Sequence, residues 1–316
     1  MNDLSSGRLA PLYSIGIVLL ALIALVYVVM ALPAETLGDV QFHSLPPWCI
    51  PAITMMHVVF LILSADVWRR LLHAITGARI RFSEAYLQMV SLAAGKYIPG
   101  KVWGIVARTA QLRRAGVSAR MSILTSVVEQ SAVLFGGGFV AVFAAILVFP
   151  EYLPAIALAG VAMLVGLVML SRHVPEIVKW VQRRRGIEVA PVPNIAGGRW
   201  LWLKLIVAYS ILWLITGMIL SVIYFSLFDV TVSVGNLAAL ILANTIGFIV
   251  GFLAVFAPGG LGVREATTVA VLAPFFPIRE ALIAAILLRA LIVVFDGINF
   301  GLMVFAELRH AARSKE

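Results

Sequence analysis

The sequence predicts an all-α, polytopic integral membrane protein with about six full membrane spans and two broken, re-entrant hairpins. Three observations predict it. Charged residues make up 12% of the 316-residue chain and hydrophobic residues 62%, against about 25% charged in soluble domains. Apolar runs recur along the chain, each near the roughly 20 residues that cross a hydrocarbon core. Pro and Gly interrupt this apolar sequence twice, at Tyr97-Ile98-Pro99-Gly100-Lys101 and at Ala257-Pro258-Gly259-Gly260-Leu261-Gly262. Backbone polar groups in hydrocarbon need internal partners, so such breaks survive only where protein buries them or a cavity receives them.

Read in order, the spans fall at 11–32, 50–68, 121–149, 154–171, 203–227 and 281–307. The first run, Pro11 to Leu32, is too long for a signal-peptide core and reads as a span. The second ends at Trp68-Arg69-Arg70, an aromatic and two cations suited to an interface. Ser83 can cap a helix running from Glu84 to Ala94, which at about 1.5 Å per residue reaches only half of a ~30 Å core. Gly95 and Pro99-Gly100 break it, and Val102 to Leu112 returns to the basic pair Arg113-Arg114. That is a hairpin entering from the inner side. Pro175 to Arg185 reads either as an amphipathic surface helix or as a basic loop. Asn236 to Ala257 descends from outside and is long enough to cross; its pattern leaves open whether it stops midway. After the second break, Val263 to Phe276 climbs back, and Pro274 and Pro277 end that limb.

Charge placement orients the chain. With the N-terminus in the cytoplasm, 18 of the 24 Lys and Arg residues fall on the inner side and only Arg279 in an outer loop. Glu35, Asp39, Glu151, Asp229 and Glu280 fall outside. The positive-inside rule then puts both termini in the cytoplasm. These flanking cations explain the pI of 10.1, so no nucleic-acid partner is needed. The single cysteine, Cys49, excludes an intrachain disulfide and any cysteine-based metal site. The five histidines are scattered, and neither paired-acid metal spacing nor a P-loop is present. No cofactor, metal or catalytic motif is expected.

The chain reads as one domain, 1–316, carrying an inverted repeat with halves near 50–149 and 203–308. Glu129, Phe135 and Gly137 recur as Arg289, Phe295 and Gly297 at a constant offset of 160 residues. One span runs outward and the other inward, as an inverted-topology repeat requires. Glu129 lies nine residues past Arg120 and Arg289 nine past Glu280. Both depths are about 13–14 Å, so the two are expected to meet near the midplane.

Seven ionisable residues fall well inside this arrangement: Lys101, Arg108, Glu129, Arg264, Glu265, Arg289 and Asp296. A charge at the bilayer centre costs about 2.5–3.5 kcal/mol on insertion scales, so most must pair or face water. The functional reading is a cavity for an anionic headgroup. Lys101, Arg108, Arg264 and Arg289 would contact its phosphate, the arginines with a planar fork. Gly259, Gly260 and Gly262 would let phosphate approach the N–H groups at the helix start. Glu129, Glu265 and Asp296 would serve coupling or structural ion pairs. Blander readings stand beside these. Glu129 and Arg289 would form a structural pair, Arg108 and Lys96 would snorkel, and Arg264-Glu265 would be a helix-start charge pattern. Asp296 and His57 would be helix contacts, and Gly136-Gly137-Gly138 would allow close helix approach.

Gly95-Lys96-Tyr97-Ile98-Pro99-Gly100-Lys101-Val102-Trp103-Gly104 together with Pro258-Gly259-Gly260-Leu261-Gly262-Val263-Arg264-Glu265 resembles the lysylphosphatidylglycerol synthase transmembrane family, also called flippase-like domain proteins. The resemblance covers nearly the whole chain, and the second motif is the more specific. It implies a helical domain of the bacterial inner membrane that translocates lipids or lipid-linked intermediates between leaflets; the charged site residues make an anionic or polyprenyl-phosphate-linked lipid the expected cargo. Members of the wider family are linked to hopanoid, polyprenyl-phosphate and glycolipid pathways. Bifunctional members carry a soluble C-terminal transferase domain, whereas this chain stops nine residues after Glu307, so transferase activity is not expected. The expected function is lipid flipping. The alternative is a membrane-embedded enzyme or accessory subunit of lipid or glycolipid biosynthesis. Membrane lipids are the expected partners; a biosynthetic-enzyme partner and a homo-oligomer stay open.

Overall fold

Among the described residues, the long apolar runs form long helices, and short helices flank the two Pro-Gly breaks. The computed structural model describes residues 46–98, 102–184 and 198–313, with the side chains of 170–184, 198–199 and 306–313 excepted. The predicted first span, Pro99-Gly100-Lys101 and both termini lie outside the described residues. Nine α-helices follow in order among those described: α1 Cys49–Thr76, α2 Phe82–Gly95, α3 Trp103–Arg114, α4 Ala119–Val148, α5 Leu153–Arg184, α6 Gly198–Leu227, α7 Val234–Leu253, α8 Val263–Leu272 and α9 Ile278–Arg313. Six helical stretches, in α1, α4, α5, α6, α7 and α9, are long and apolar enough to cross a membrane.

The three short helices differ in kind. α2, α3 and α8 have 14, 12 and 10 residues, or about 21, 18 and 15 Å. None reaches across a ~30 Å core. α7 has 20 residues, about 30 Å, so by length it is a full crossing. α2 begins at Phe82, just before the expected cap Ser83: Arg81 stands at the cap position, and its N–H donates to Glu84 Oε2 at 2.8 Å. α5 runs unbroken through Pro175 to Arg184, so the expected separate surface helix or loop after 171 is instead the continuation of a span. A proline removes one helix hydrogen bond and can kink a helix without ending it.

Among the described residues the exposed surface is apolar, and the apolar core also encloses a set of polar and charged side chains. Phe143, Leu158, Val161 and Ile211 are exposed, on the surface a bilayer would cover. Arg108, Ser122, Thr125, Glu129, Asn244, Thr245 and Arg289 are buried. α4, α6 and α7 pack on one another at the centre, with α1 and α9 against α6. Small residues bring the helices close. A Cβ on Gly136 would lie 2.8 Å from the Tyr209 side chain, and one on Gly137 2.8 Å from the Trp213 ring. Trp213 Nε1 in turn donates to the Val133 carbonyl at 2.8 Å. Both hairpins use the same device. A Cβ on Gly95 would fall 2.1 Å from Gly104 N, joining α2 to α3, and one on Gly251 would fall 2.9 Å from Arg264 Cβ, joining α7 to α8.

Candidate functional site

The two chain breaks, 159 residues apart in sequence, touch. After α2 ends at Gly95, the chain leaves the helix in a run of tight turns. The Lys96 carbonyl there accepts a hydrogen bond from Gly259 N–H at 2.7 Å. The second break is one 3₁₀ turn, Pro258–Gly260, followed by Leu261 and Gly262. Gly259, Gly260 and Gly262 have φ of 58°, 74° and 77°, a left-handed region that costs other L-residues roughly 1–2 kcal/mol. Gly259 has a second reason to lack a side chain: its Cβ would meet Arg289 Nη2 at 2.6 Å. A Cβ at Gly262 would meet nothing within 4 Å. The start of α8 beside it carries no side-chain cap, so its first N–H groups present partial positive charge.

Charged side chains converge on this junction. From α9, Arg289 Nη2 donates to the Gly259 carbonyl at 2.8 Å, and its Nε lies 3.6 Å from Glu265 Oε1. Lys96 Nζ lies 2.5 Å from Asp296 Oδ2, and Tyr97 O–H donates to the same oxygen at 2.6 Å. Arg264 Nη2 donates to the Asn244 amide oxygen at 3.3 Å, with its guanidinium 4.8 Å from the Phe248 ring centroid. Among the described residues no carboxylate pairs with Arg264. Three cations, Lys96, Arg264 and Arg289, therefore face two carboxylates, Glu265 and Asp296. The excess positive charge and the uncapped helix start suit an anion.

A second ionic cluster sits apart from the junction. Arg108 of α3 pairs with Glu129 of α4, both fully buried. The guanidinium lies 3.7 Å over the Trp68 ring, and its Nη2 lies 3.0 Å from Met89 Sδ. Tyr209 O–H donates to Glu129 Oε1 at 3.3 Å. This placement corrects two expectations. Arg108 is neither a snorkelling residue nor open to a headgroup. Glu129 and Arg289 do not pair with each other: each takes its partner from the short helix preceding its own long one. The physical reason is proximity, since each short helix packs on the long helix that follows it.

Of the expected site residues, the structure gathers Gly259, Gly260, Gly262, Arg264, Glu265, Arg289 and Asp296 at the junction and sets Arg108 and Glu129 apart. Lys101 falls outside the described residues. Sequence reasoning missed Lys96 as a junction residue, together with Tyr97 and Asn244. The signal available for the first two was their place at the first break itself. His57, read as a helix contact, stacks on Phe295 with ring centroids 4.3 Å apart.

No curated protein matches the chain. The family described as the lysylphosphatidylglycerol synthase TM region matches residues 12–298. That stretch holds both breaks, both ionic clusters and all six spans up to the last turns of α9. With that much of it matched, the chain is a multi-pass membrane protein of the lysylphosphatidylglycerol synthase TM region family, whose description ties it to membrane lipid.

Proposed function

We propose that this protein moves an anionic lipid, a phospholipid or a polyprenyl-phosphate-linked intermediate, between the leaflets of the bacterial inner membrane. The headgroup phosphate would sit at the junction while the hydrocarbon tails stay in the bilayer. The observation that carries this reading is Arg264: a buried guanidinium, beside an uncapped helix start, whose hydrogen-bond partner is a neutral amide. A buried cation of this kind is stabilised by an incoming phosphate, which the planar fork can grip with two hydrogen bonds. Arg289 and Lys96 add charge, and Gly259, Gly260 and Gly262 let a phosphate oxygen approach the backbone.

Two features support movement as well as binding. The α2–α3 pair is too short to cross and reads as a re-entrant hairpin, and the second break opens the chain beside it. Buried irregular backbone of this sort lines the substrate sites of transporters. The ionic clusters also repeat with their signs exchanged, Arg108 to Glu129 in one half and Glu265 to Arg289 in the other, which favours the inverted repeat. In this reading both termini are cytoplasmic, as the loop charges require.

The test is thermal unfolding of the purified protein in detergent with added lipid. A ligand at 100 times its Kd stabilises by about 2.7 kcal/mol. An anionic phospholipid should raise the midpoint, a zwitterionic one of equal chain length should not, and Arg264→Ala should remove the difference. Equal stabilisation by both lipids, unaffected by Arg264→Ala, would remove the junction from headgroup recognition.

A further inference from the structure

We propose that Glu265 holds the place of the substrate's phosphate at Arg289, and that it takes up one proton when the phosphate displaces it. This rests on the reading of the junction as a phosphate site. It adds that the lipid binds together with a proton.

The observation is an ion pair that stays open. Glu265 and Arg289 are both buried, yet neither carboxylate oxygen nor Arg289 Nε has a hydrogen-bond partner. Their separation is 3.6 Å, whereas charge-assisted N–H···O bonds close to about 2.7–2.9 Å. The neighbouring pair of Lys96 and Asp296 closes to 2.5 Å, and that of Arg108 and Glu129 closes to hydrogen-bonding contact. Buried polar groups without partners are uncommon and mark a missing occupant or a missing proton. Arg289 cannot simply swing to close the gap, because its Nη2 is held by the Gly259 carbonyl at 2.8 Å.

The charges around Glu265 determine what an incoming anion does. α9 presents Arg289 and, further along, Asp296; the first break presents Lys96 and Tyr97; α8 itself presents Arg264; and α1 presents His57 near Asp296. α7 contributes Asn244 and Phe248, neither of which titrates. A phosphate seated on Arg264 and Arg289 competes with Glu265 for the same cations. A carboxylate that loses its counter-charge to a second anion, away from bulk water, favours its neutral form. The step is the addition of one proton from solvent to one Glu265 oxygen, with no other bond changed. Lys96, a third exposed, marks the side from which that proton arrives. The neutral acid then becomes a donor toward a phosphate oxygen instead of a repelling charge.

Isothermal titration of the full-length protein in detergent with dihexanoylphosphatidylglycerol tests this. Its phosphodiester keeps one negative charge near neutral pH, so any proton taken up belongs to the protein. Titrations in two buffers of different ionisation enthalpy at one pH give the number of protons bound per lipid. The expected result is about one for the wild type and near zero for Glu265→Gln, whose lipid affinity no longer changes with pH. Wild-type affinity should also fall by up to tenfold per pH unit as pH rises through the range of uptake, a readout that needs no variant. Binding without proton uptake would overturn this proposal and leave the phosphate site standing. Uptake that persists in a folded Glu265→Gln protein would also overturn it. Failure of the lipid to bind at all would overturn both.

Discussion

Three buried arginines show that what matters is the partner rather than the charge. Arg108 is closed by Glu129, Trp68 and Met89. Breaking a buried pair from one side costs about 3–5 kcal/mol because the other charge is left unpaired, and replacing both partners by apolar residues is often neutral. Arg108→Met should therefore strongly lower the unfolding midpoint in detergent, and adding Glu129→Leu should restore most of the loss. Arg264 differs, because no carboxylate pairs with it among the described residues and its removal strands no opposite charge. Arg264→Ala should shift stability by less than about 1 kcal/mol while removing charged hydrogen bonds worth about 1.5–3 kcal/mol to a bound phosphate, roughly a tenfold to hundredfold loss in lipid affinity. Arg264→Lys keeps the charge without the fork and should fall between. Titration of lipid into each folded variant measures the difference.

At the scale of elements, the two breaks carry the architecture, and their glycines are not equivalent. Gly259 combines a left-handed φ with a neighbour in the way, Arg289 Nη2 at 2.6 Å; Gly262 has the φ but open space around a Cβ. Gly259→Ala should thus cost more stability than Gly262→Ala. The second should be limited to roughly 1–2 kcal/mol of backbone strain, and paired thermal melts decide the order. Both breaks were legible in the sequence because Pro and Gly inside an apolar run have few other meanings in a membrane. The direction in which each side chain points around its helix was not. That direction depends on which helices pack side by side, and so the sequence paired Glu129 with Arg289 while the fold pairs each with the short helix before its own. Lys96 was read as snorkelling because its counter-ion, Asp296, stands 200 residues later on α9. Pro175 looked like a boundary because local sequence does not show that a helix can carry on past it.

At the scale of the molecule, the two breaks meet, with an excess of positive charge where they touch. The proposed orientation rests on loop charge and is testable directly. Arg279→Cys in a Cys49→Ala background should react with an impermeant thiol reagent applied to the outer face of intact cells; reaction only after membrane disruption would reverse the topology. The central claim is that the junction moves an anionic lipid and that Arg264 grips it. Reconstitution in vesicles carrying a headgroup-labelled anionic phospholipid tests that claim most directly, through the rate at which label leaves the inner leaflet. Wild-type protein should exchange the label between leaflets, Arg264→Lys should do so more slowly, and Arg264→Ala, with its melting midpoint intact, should slow exchange at least about tenfold, in line with the affinity lost. Exchange at the wild-type rate by folded Arg264→Ala protein, or no exchange by wild type above that of empty vesicles, would contradict the account.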